Sequence, residues 1–272
     1  MTKEQIQAEI DSYPLKEKDP AFLVEYMVEI PKVSEASVFP EFSQMKDDII
    51  DDTLELPELC DTYVAGDVGV KDLTAYLFGY YDFEKATLCI LDEFISNGLE
   101  QTTESIASAI KLKESINFKQ GSSIKYPTKR IMDNALQMIN DFRKIHGLNF
   151  IATKKDNKFG AVNTVRDLLQ QGRIKIHPRC KHLIYHMELC KWKDGKGVRA
   201  EFDHLPDSSD KLIMGGHADS ADSLVYMVRN INFNKNPKND IDEVEIIGKF
   251  GYTKTISKRK ELMKKMFNLG RK

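Results

Sequence analysis

Cysteine is scarce in this chain. The four thiols, Cys60, Cys89, Cys180 and Cys190, include no CxxC spacing, so no disulfide framework is indicated and a reducing compartment fits best. Cys89 falls inside an apolar, strand-like run and reads as a small core residue. There is no N-terminal signal pattern and no apolar run long enough to cross a bilayer, so a secreted or membrane-spanning protein is not expected. No GxxxxGK[ST] loop is present, which removes nucleotide-binding mechanics of that kind. No Ser/His/Asp set stands out, and there is no repeat or low-complexity tract. A net charge of −2 among 30% charged residues leaves the total charge silent about nucleic acid.

The distribution of that charge is more informative. From Lys154 to Arg199 there are twelve Lys or Arg residues, among them Lys154, Lys155, Lys158, Arg173 and Arg179, against four acids, Asp156, Asp167, Glu188 and Asp194. The N-terminal third is acidic. This asymmetry suggests one polyanion-facing surface, with an ordinary solvated face as the alternative. At 272 residues the chain holds one large domain or a domain with appendages.

Hydrophobic patterning predicts three consecutive antiparallel strands at Thr62–Gly66, Thr74–Tyr81 and Ala86–Phe94, with turn-like separators between them. A helix follows over Thr102–Lys113, with Ile106, Ala109 and Ile110 on one face and Thr102 or Thr103 as cap. The chain then alternates between strands and helices. Strands are expected at Thr128–Met132, Phe150–Thr153 and Ile174–His177. Helices are expected at Asn134–His146, Lys158–Gln171, Cys180–Lys191 and His217–Asn230. Before this block, Thr2–Ile10 reads as a short helix and Phe22–Ile30 as helix or strand. Ser34–Phe42 reads as loop, and Gln44–Glu55 as too acidic for a core. The tail closes on a basic helix over Lys258–Leu269. The pattern divides the chain into a lead-in over 1–60, a main domain over 61–232 and a basic tail over 233–272. It predicts a mixed α/β sheet flanked by helices.

Carboxylates stand at the ends of these core elements. Asp67 closes the first strand, Asp133 follows the fourth, and Asp219 and Asp222 open the last confident helix. Scattered acids of this kind suit a hard divalent cation, which prefers oxygen ligands and keeps several waters. Held close, they repel, and a cation keeps them ionised. Each has a plainer alternative. Asp67 could shape a turn, Asp133 could cap the following helix, and the Asp219/Asp222 pair could answer the helix dipole. This order of elements brings such acids together in a ribonuclease H-like sheet.

The residues themselves are familiar. Gly66–Ala75 (GDVGVKDLTA), Arg130–Asp133 (RIMD) and Gly216–Tyr226 (GHADSADSLVY) resemble the nuclease domain of tailed-bacteriophage terminase large subunits. Phe150–Lys158 (FIATKKDNK) and Gly172–Pro178 (GRIKIHP) fit the same pattern. The lead-in Phe22–Ile30 (FLVEYMVEI) with Phe39–Phe42 (FPEF) is similar to the segment just after the packaging ATPase. The resemblance covers roughly residues 20 to 230. Without a phosphate loop, the chain reads as the nuclease half alone, a fragment of a longer protein.

The resemblance implies a ribonuclease H-like endonuclease that cuts double-stranded viral DNA during packaging, with little sequence preference. Two Mg²⁺ or Mn²⁺ ions are implied at Asp67, Asp133, Asp219 and Asp222, with Asp72 as an auxiliary carboxylate. Lys154, Lys155, Lys158, Arg173 and Arg179 are expected to contact DNA. Implied partners are a packaging ATPase domain, the portal and the small terminase subunit, in the host cytoplasm of an infected bacterium. The alternatives are another ribonuclease H-like nuclease of the Holliday-junction resolvase or integrase type, and a non-catalytic adaptor that docks DNA or the portal. Of the two helical acids, Asp222 is expected to be the less solvated. Asp219, nearer the loop from Gly215, is favoured as the primary ligand. His217 could orient a carboxylate or a water, or have no role. His182 and His186, four apart, raise zinc as an option, but no Glu completes an HExxH pattern. Trp192, between two lysines, could stack on DNA or plug the core.

Overall fold

The computed structural model describes residues 7, 36–69, 73–97, 101–193, 201–206, 208, 210, 213, 215–235, 243–247 and 253–257. Three long strands lead the sheet: β1 (Cys60–Val68), β2 (Leu73–Asp82) and β3 (Thr87–Asn97). They pair antiparallel in sequence order, with a register irregularity at Phe78/Gly79. Three short strands then join in parallel. β6 (Lys129–Met132) pairs with β1, β7 (Phe150–Ala152) with β6, and β8 (Ile174–Ile176) with β3. The order is β7-β6-β1-β2-β3-β8. All strands of this sheet except β2 therefore run one way, and their C-terminal ends share one edge.

Both faces are covered, which explains why β2 is buried along its whole length. Alternation along β1 sends Tyr63 and Ala65 to one face and Val64 to the other. The first face carries α1 (Pro40–Ile49), α4 (Lys158–Gln170), α5 (Lys181–Leu189) and α6 (Asp219–Asn230). The second carries α2 (Thr103–Asn117) and α3 (Leu136–Lys144). This is the mixed, helix-flanked sheet that the strand–helix pattern predicts. The expected Thr102 cap is also present: its side chain accepts from the Ser105 N–H in a capping box.

Three expectations change. The stretch read as loop and then as too acidic for a core contains α1, whose Phe42 and Ile49 are buried. Asp47 and Asp48 face outward, and Glu41, largely covered, is held by Arg166 at 2.8 Å. With Val38 and Phe39 also fully buried, this part of the lead-in packs in the same core as the sheet. Of the apolar residues that the predicted helix Asn134–His146 offers for burial, Ile139 is buried, joined by Phe142, but Leu136 and the C-cap residue Ile145 are exposed. Two small hairpins were not foreseen: β4 (Lys119–Gln120) with β5 (Ser123–Ile124), and β9 (Glu243–Ile247) with β10 (Thr253–Ser257). Phe22–Ile30, the tail helix over 258–269 and Asp72 lie outside the described residues. No helix among the described residues is long and apolar enough to cross a membrane.

Candidate active site

The carboxylates collect at the shared C-terminal edge. Asp67 lies one residue beyond Gly66, whose backbone pairs with Met132 of β6. Its side chain takes the same face as Tyr63 and Ala65, toward α6, by the two-residue period of the strand. Gly66 points the other way, against the Tyr76 ring. A Cβ there would sit 2.3 Å from that ring, so only glycine lets Tyr76 pass beneath the acid.

Asp133 continues the β6 line. Its N–H donates to the Gly66 carbonyl at 3.1 Å, and its Oδ1 accepts from the Asn134 N–H. It does not cap the next helix, because the cap position of α3 is Ala135. Helix α6 brings the other two acids in its first turn. Almost every α6 side chain is buried, as in a helix packed into a core rather than laid on a surface. Ser223 Oγ donates to the Ala75 carbonyl of β2 at 3.0 Å, and Lys129 Nζ donates to the Asn230 carbonyl at 2.7 Å. These bonds fix α6 across β2 and β6.

The result is one cavity of about 420 Å³ lined by Asp67, Asp133, Asp219, Asp222, Lys155, Lys158, Tyr226 and Arg229, among others. Loss of water on burial, reinforced by the charges of Asp222 and Asp133, pushes the Asp67 pKa up to about 7. Burial also raises Asp222, against the opposing pull of Lys158. Burial would lower Lys155, but its bond to Asp133 and the charges of Asp67 and Asp222 outweigh that and raise it.

The expected solvation order of the helical acids is reversed. Asp219 is buried, while Asp222 is only partly buried. The charge of Asp222 bears on Asp67. Both acids line the cavity, Asp219 at the first residue of α6 and Asp222 one turn on.

The basic residues divide. Lys154 is exposed beside the site, on a neighbouring cavity of about 600 Å³ that shares Arg229 with the acid cavity. Lys155 Nζ lies 2.6 Å from Asp133 Oδ1, and Lys158 Nζ lies 2.7 Å from Asp222 Oδ1. Both bind acids of the site itself. Arg173 precedes β8, at the opposite end of the sheet, and donates to the Ala86 carbonyl and the Tyr81 hydroxyl. Arg179 lines another pocket with Asp92 and Lys113. A single basic surface through all five residues is therefore not formed. Trp192 takes the core alternative, packed against Phe159 and Phe202. His182 contacts Glu93 at 3.2 Å, and His186 Nδ1 accepts the Ser220 N–H at 3.3 Å, so the pair serves packing. The His217 and His204 rings meet at 4.0 Å between centroids, tilted by 48°.

Sequence reasoning missed Tyr226 and Arg229. Both follow Asp222 at helical spacing, four and seven residues on, and that periodicity could have found them. Arg229 is anchored on Asp156 at 2.8 Å.

Among solved structures, the large terminase of a thermophilic bacteriophage aligns with a TM-score of 0.54 and 18% identity, over 85% of this chain and 53% of that one. The P22 large terminase nuclease domain aligns with a TM-score of 0.51 and 15% identity, over 74% of this chain and 99% of that domain. The chain has the fold of a phage large-terminase nuclease domain. It spans about half the length of the thermophilic phage protein. No protein-family model matches it, and no curated protein matches it in sequence. At these identities the likeness is one of fold.

The donor set suits a hard divalent ion, since all four candidate ligands offer carboxylate oxygens. Among the described residues, no three acids, histidines or cysteines already close on a common point as metal ligands do. Ammonium groups occupy Asp133 and Asp222 instead.

Proposed function

We propose that the chain is a divalent-metal-dependent endonuclease that hydrolyses double-stranded DNA during viral genome packaging, with little sequence preference. One observation carries this reading. Asp67, Asp133 and Asp222 come from three separate elements and line one cavity, where burial and mutual repulsion raise Asp67 to about 7. A fold gains nothing in stability from such an arrangement, so a cationic ligand is the natural reason for it.

Mg²⁺ or Mn²⁺, held by Asp67, Asp133 and Asp222 with Asp219 adjacent, would supply an activated water and charge for the leaving oxygen. The protein's own contribution is placement. Asp67 and Asp133 stand on hydrogen-bonded strand ends, so their carboxylates are held by the sheet. Val225 and Tyr226 wall one side of the cavity and limit water there. Exposed Lys154 is placed to meet phosphates of the bound duplex, a contact that carries no base information. A packaging ATPase domain, the portal and the small terminase subunit are the partners this reading brings.

A non-catalytic adaptor with structural acids is the rival, and the Lys155–Asp133 and Lys158–Asp222 pairs favour it. Against it, Asp67 takes part in no ion pair among the described residues, although its pKa is the one raised to about 7. Plasmid nicking decides between them. The chain should nick supercoiled DNA with Mn²⁺, stop in EDTA, and fall to background as Asp67→Asn. Nicking that survives that substitution removes this site from the reaction, and DNA binding without any nicking supports the adaptor.

A further inference from the structure

The two lysines of the site are held in different ways. Both ammonium groups touch carboxylates that the proposed function assigns to a divalent ion. Lys155 belongs to the loop between β7 and α4, its side chain is 55% exposed, and Asp133 is its ion-pair partner. Lys158 is the first residue of α4, behind Asn157, whose side chain fixes that helix end by accepting from the Gly160 N–H. Its side chain is 25% exposed. Its Nζ lies on Asp222 and also 3.6 Å from the centre of the Phe202 ring. A cation over an aromatic face gains most where water is excluded, and Phe202 is itself packed against Phe39 and Trp192. Lys158 is thus gripped from two sides on a fixed backbone. Lys155 is gripped from one side on a loop.

A divalent ion on the Asp133 carboxylate would stand within a few ångströms of the Lys155 ammonium and repel it. The long Lys155 side chain, already more than half exposed, loses little by leaving for water. From the two modes of attachment we infer that Lys155 is an exchangeable counter-ion of Asp133, released when a divalent cation binds, whereas Lys158 is a resident cation that stays on Asp222. Without metal, Lys155 moderates the repulsion among the acids. With metal, its freed ammonium stands at the rim, available to a phosphate of the DNA. The inference rests on the proposed metal site and adds to it an internal competitor that sets the concentration of cation needed.

Lysine labelling tests it without reference to cleavage. The intact chain is exposed to an amine-acylating reagent at pH 8, with and without Mn²⁺, and each lysine is quantified by mass spectrometry. Calorimetry in the same buffer reports Mn²⁺ binding. Lys155 should label several-fold faster with Mn²⁺, and Lys158 should not change. Lys155→Met should bind Mn²⁺ about fivefold more tightly, since a competing charge is gone, and Lys155→Arg should restore the weaker affinity. If Mn²⁺ binds but Lys155 labelling and the Lys155→Met affinity are both unchanged, the exchange is wrong and the metal site stands. If both lysines become more reactive, the resident role of Lys158 is wrong. If no Mn²⁺ binds, the metal reading falls and the exchange with it.

Discussion

The backbone N–H of Asp133 donates to the carbonyl of Gly66 at 3.1 Å. This bond carries the β1–β6 ladder one step past the last paired residues, Gly66 and Met132. It sets the carboxylate that follows β6 beside the one next to the end of β1. The two acids are 66 positions apart in the sequence and are placed by strand register rather than by a loop.

Gly66 is therefore a sensitive position. A methyl group there meets the Tyr76 ring at 2.3 Å, and that ring is packed against Phe94 and Phe150 with no room to retreat. Gly66→Ala should cost about 1–3 kcal/mol of stability by overpacking. It should also displace Asp67 and lower Mn²⁺ affinity. Chemical denaturation and calorimetry check the two effects, and an unchanged midpoint would mean that the ring yields.

Stability of the metal-free chain should depend on pH in an unusual direction for a carboxylate. The Asp67 pKa is raised from the ordinary carboxylate value to about 7, so the folded state holds this proton more tightly than the unfolded chain. The stabilisation is present at low pH and is lost as pH rises through about 7. Asp222, also raised, acts in the same sense. Between pH 6 and pH 8 the metal-free melting temperature should fall by about 3 °C, from roughly 1 kcal/mol of lost proton linkage. Millimolar Mg²⁺ should flatten the slope. A rising melting temperature over this range would contradict the burial of Asp67 among like charges.

The two acids of α6 should differ when substituted. Asp222 faces Asp67, so Asp222→Asn should be inactive at every Mn²⁺ concentration. Asp219 is more deeply covered, so Asp219→Asn should lose about 10–100-fold and recover partly at high Mn²⁺, as a supporting carboxylate does. Nicking rates across a Mn²⁺ titration separate the two, and the opposite order would make Asp219 the primary ligand.

The sheet was legible in the sequence because its strands are apolar, β-branched and bounded by turn residues, and because two of the helices between them, α3 and α4, end near a glycine. The positions of Asp67 and Asp133 were legible for the same reason: both are strand ends. What sequence could not show was the third dimension of the charges. Lys155 and Lys158 read as DNA contacts because a run of basic residues looks alike whether it faces a polyanion or the protein's own acids. Arg173 belongs to the same run but precedes β8, so the fold carries it to the far end of the sheet. The exposure of Asp219 and Asp222 depended on where α6 begins, and terminal positions are the least certain part of a helix assignment. Helix α1 was missed because it straddles a stretch that reads as loop and one rich in acids, and only Phe42 and Ile49 of its ten residues are fully turned into the core.

DNA binding should follow this division of the basic residues. Lys154→Glu should weaken binding to all sequences alike, by about 3–10-fold at low salt, and reduce the salt slope by about one counterion. Arg173→Glu should leave affinity within about twofold, since its guanidinium serves Ala86 and Tyr81, but should lower the melting temperature by a few degrees. Fluorescence anisotropy at several salt concentrations, with melting curves, distinguishes them. A large loss of affinity in Arg173→Glu would extend the DNA surface to the far end of the sheet.

The proposed chemistry turns on whether Asp67, Asp133 and Asp222 hold divalent cations. Anomalous diffraction from crystals soaked in Mn²⁺ answers that at the level of atoms. A Mn²⁺ peak should stand in contact with the Asp67 carboxylate, with the Lys155 side chain withdrawn from Asp133. A cavity without a peak at saturating Mn²⁺, with both lysine pairs intact, would contradict the metal site and the nuclease built on it.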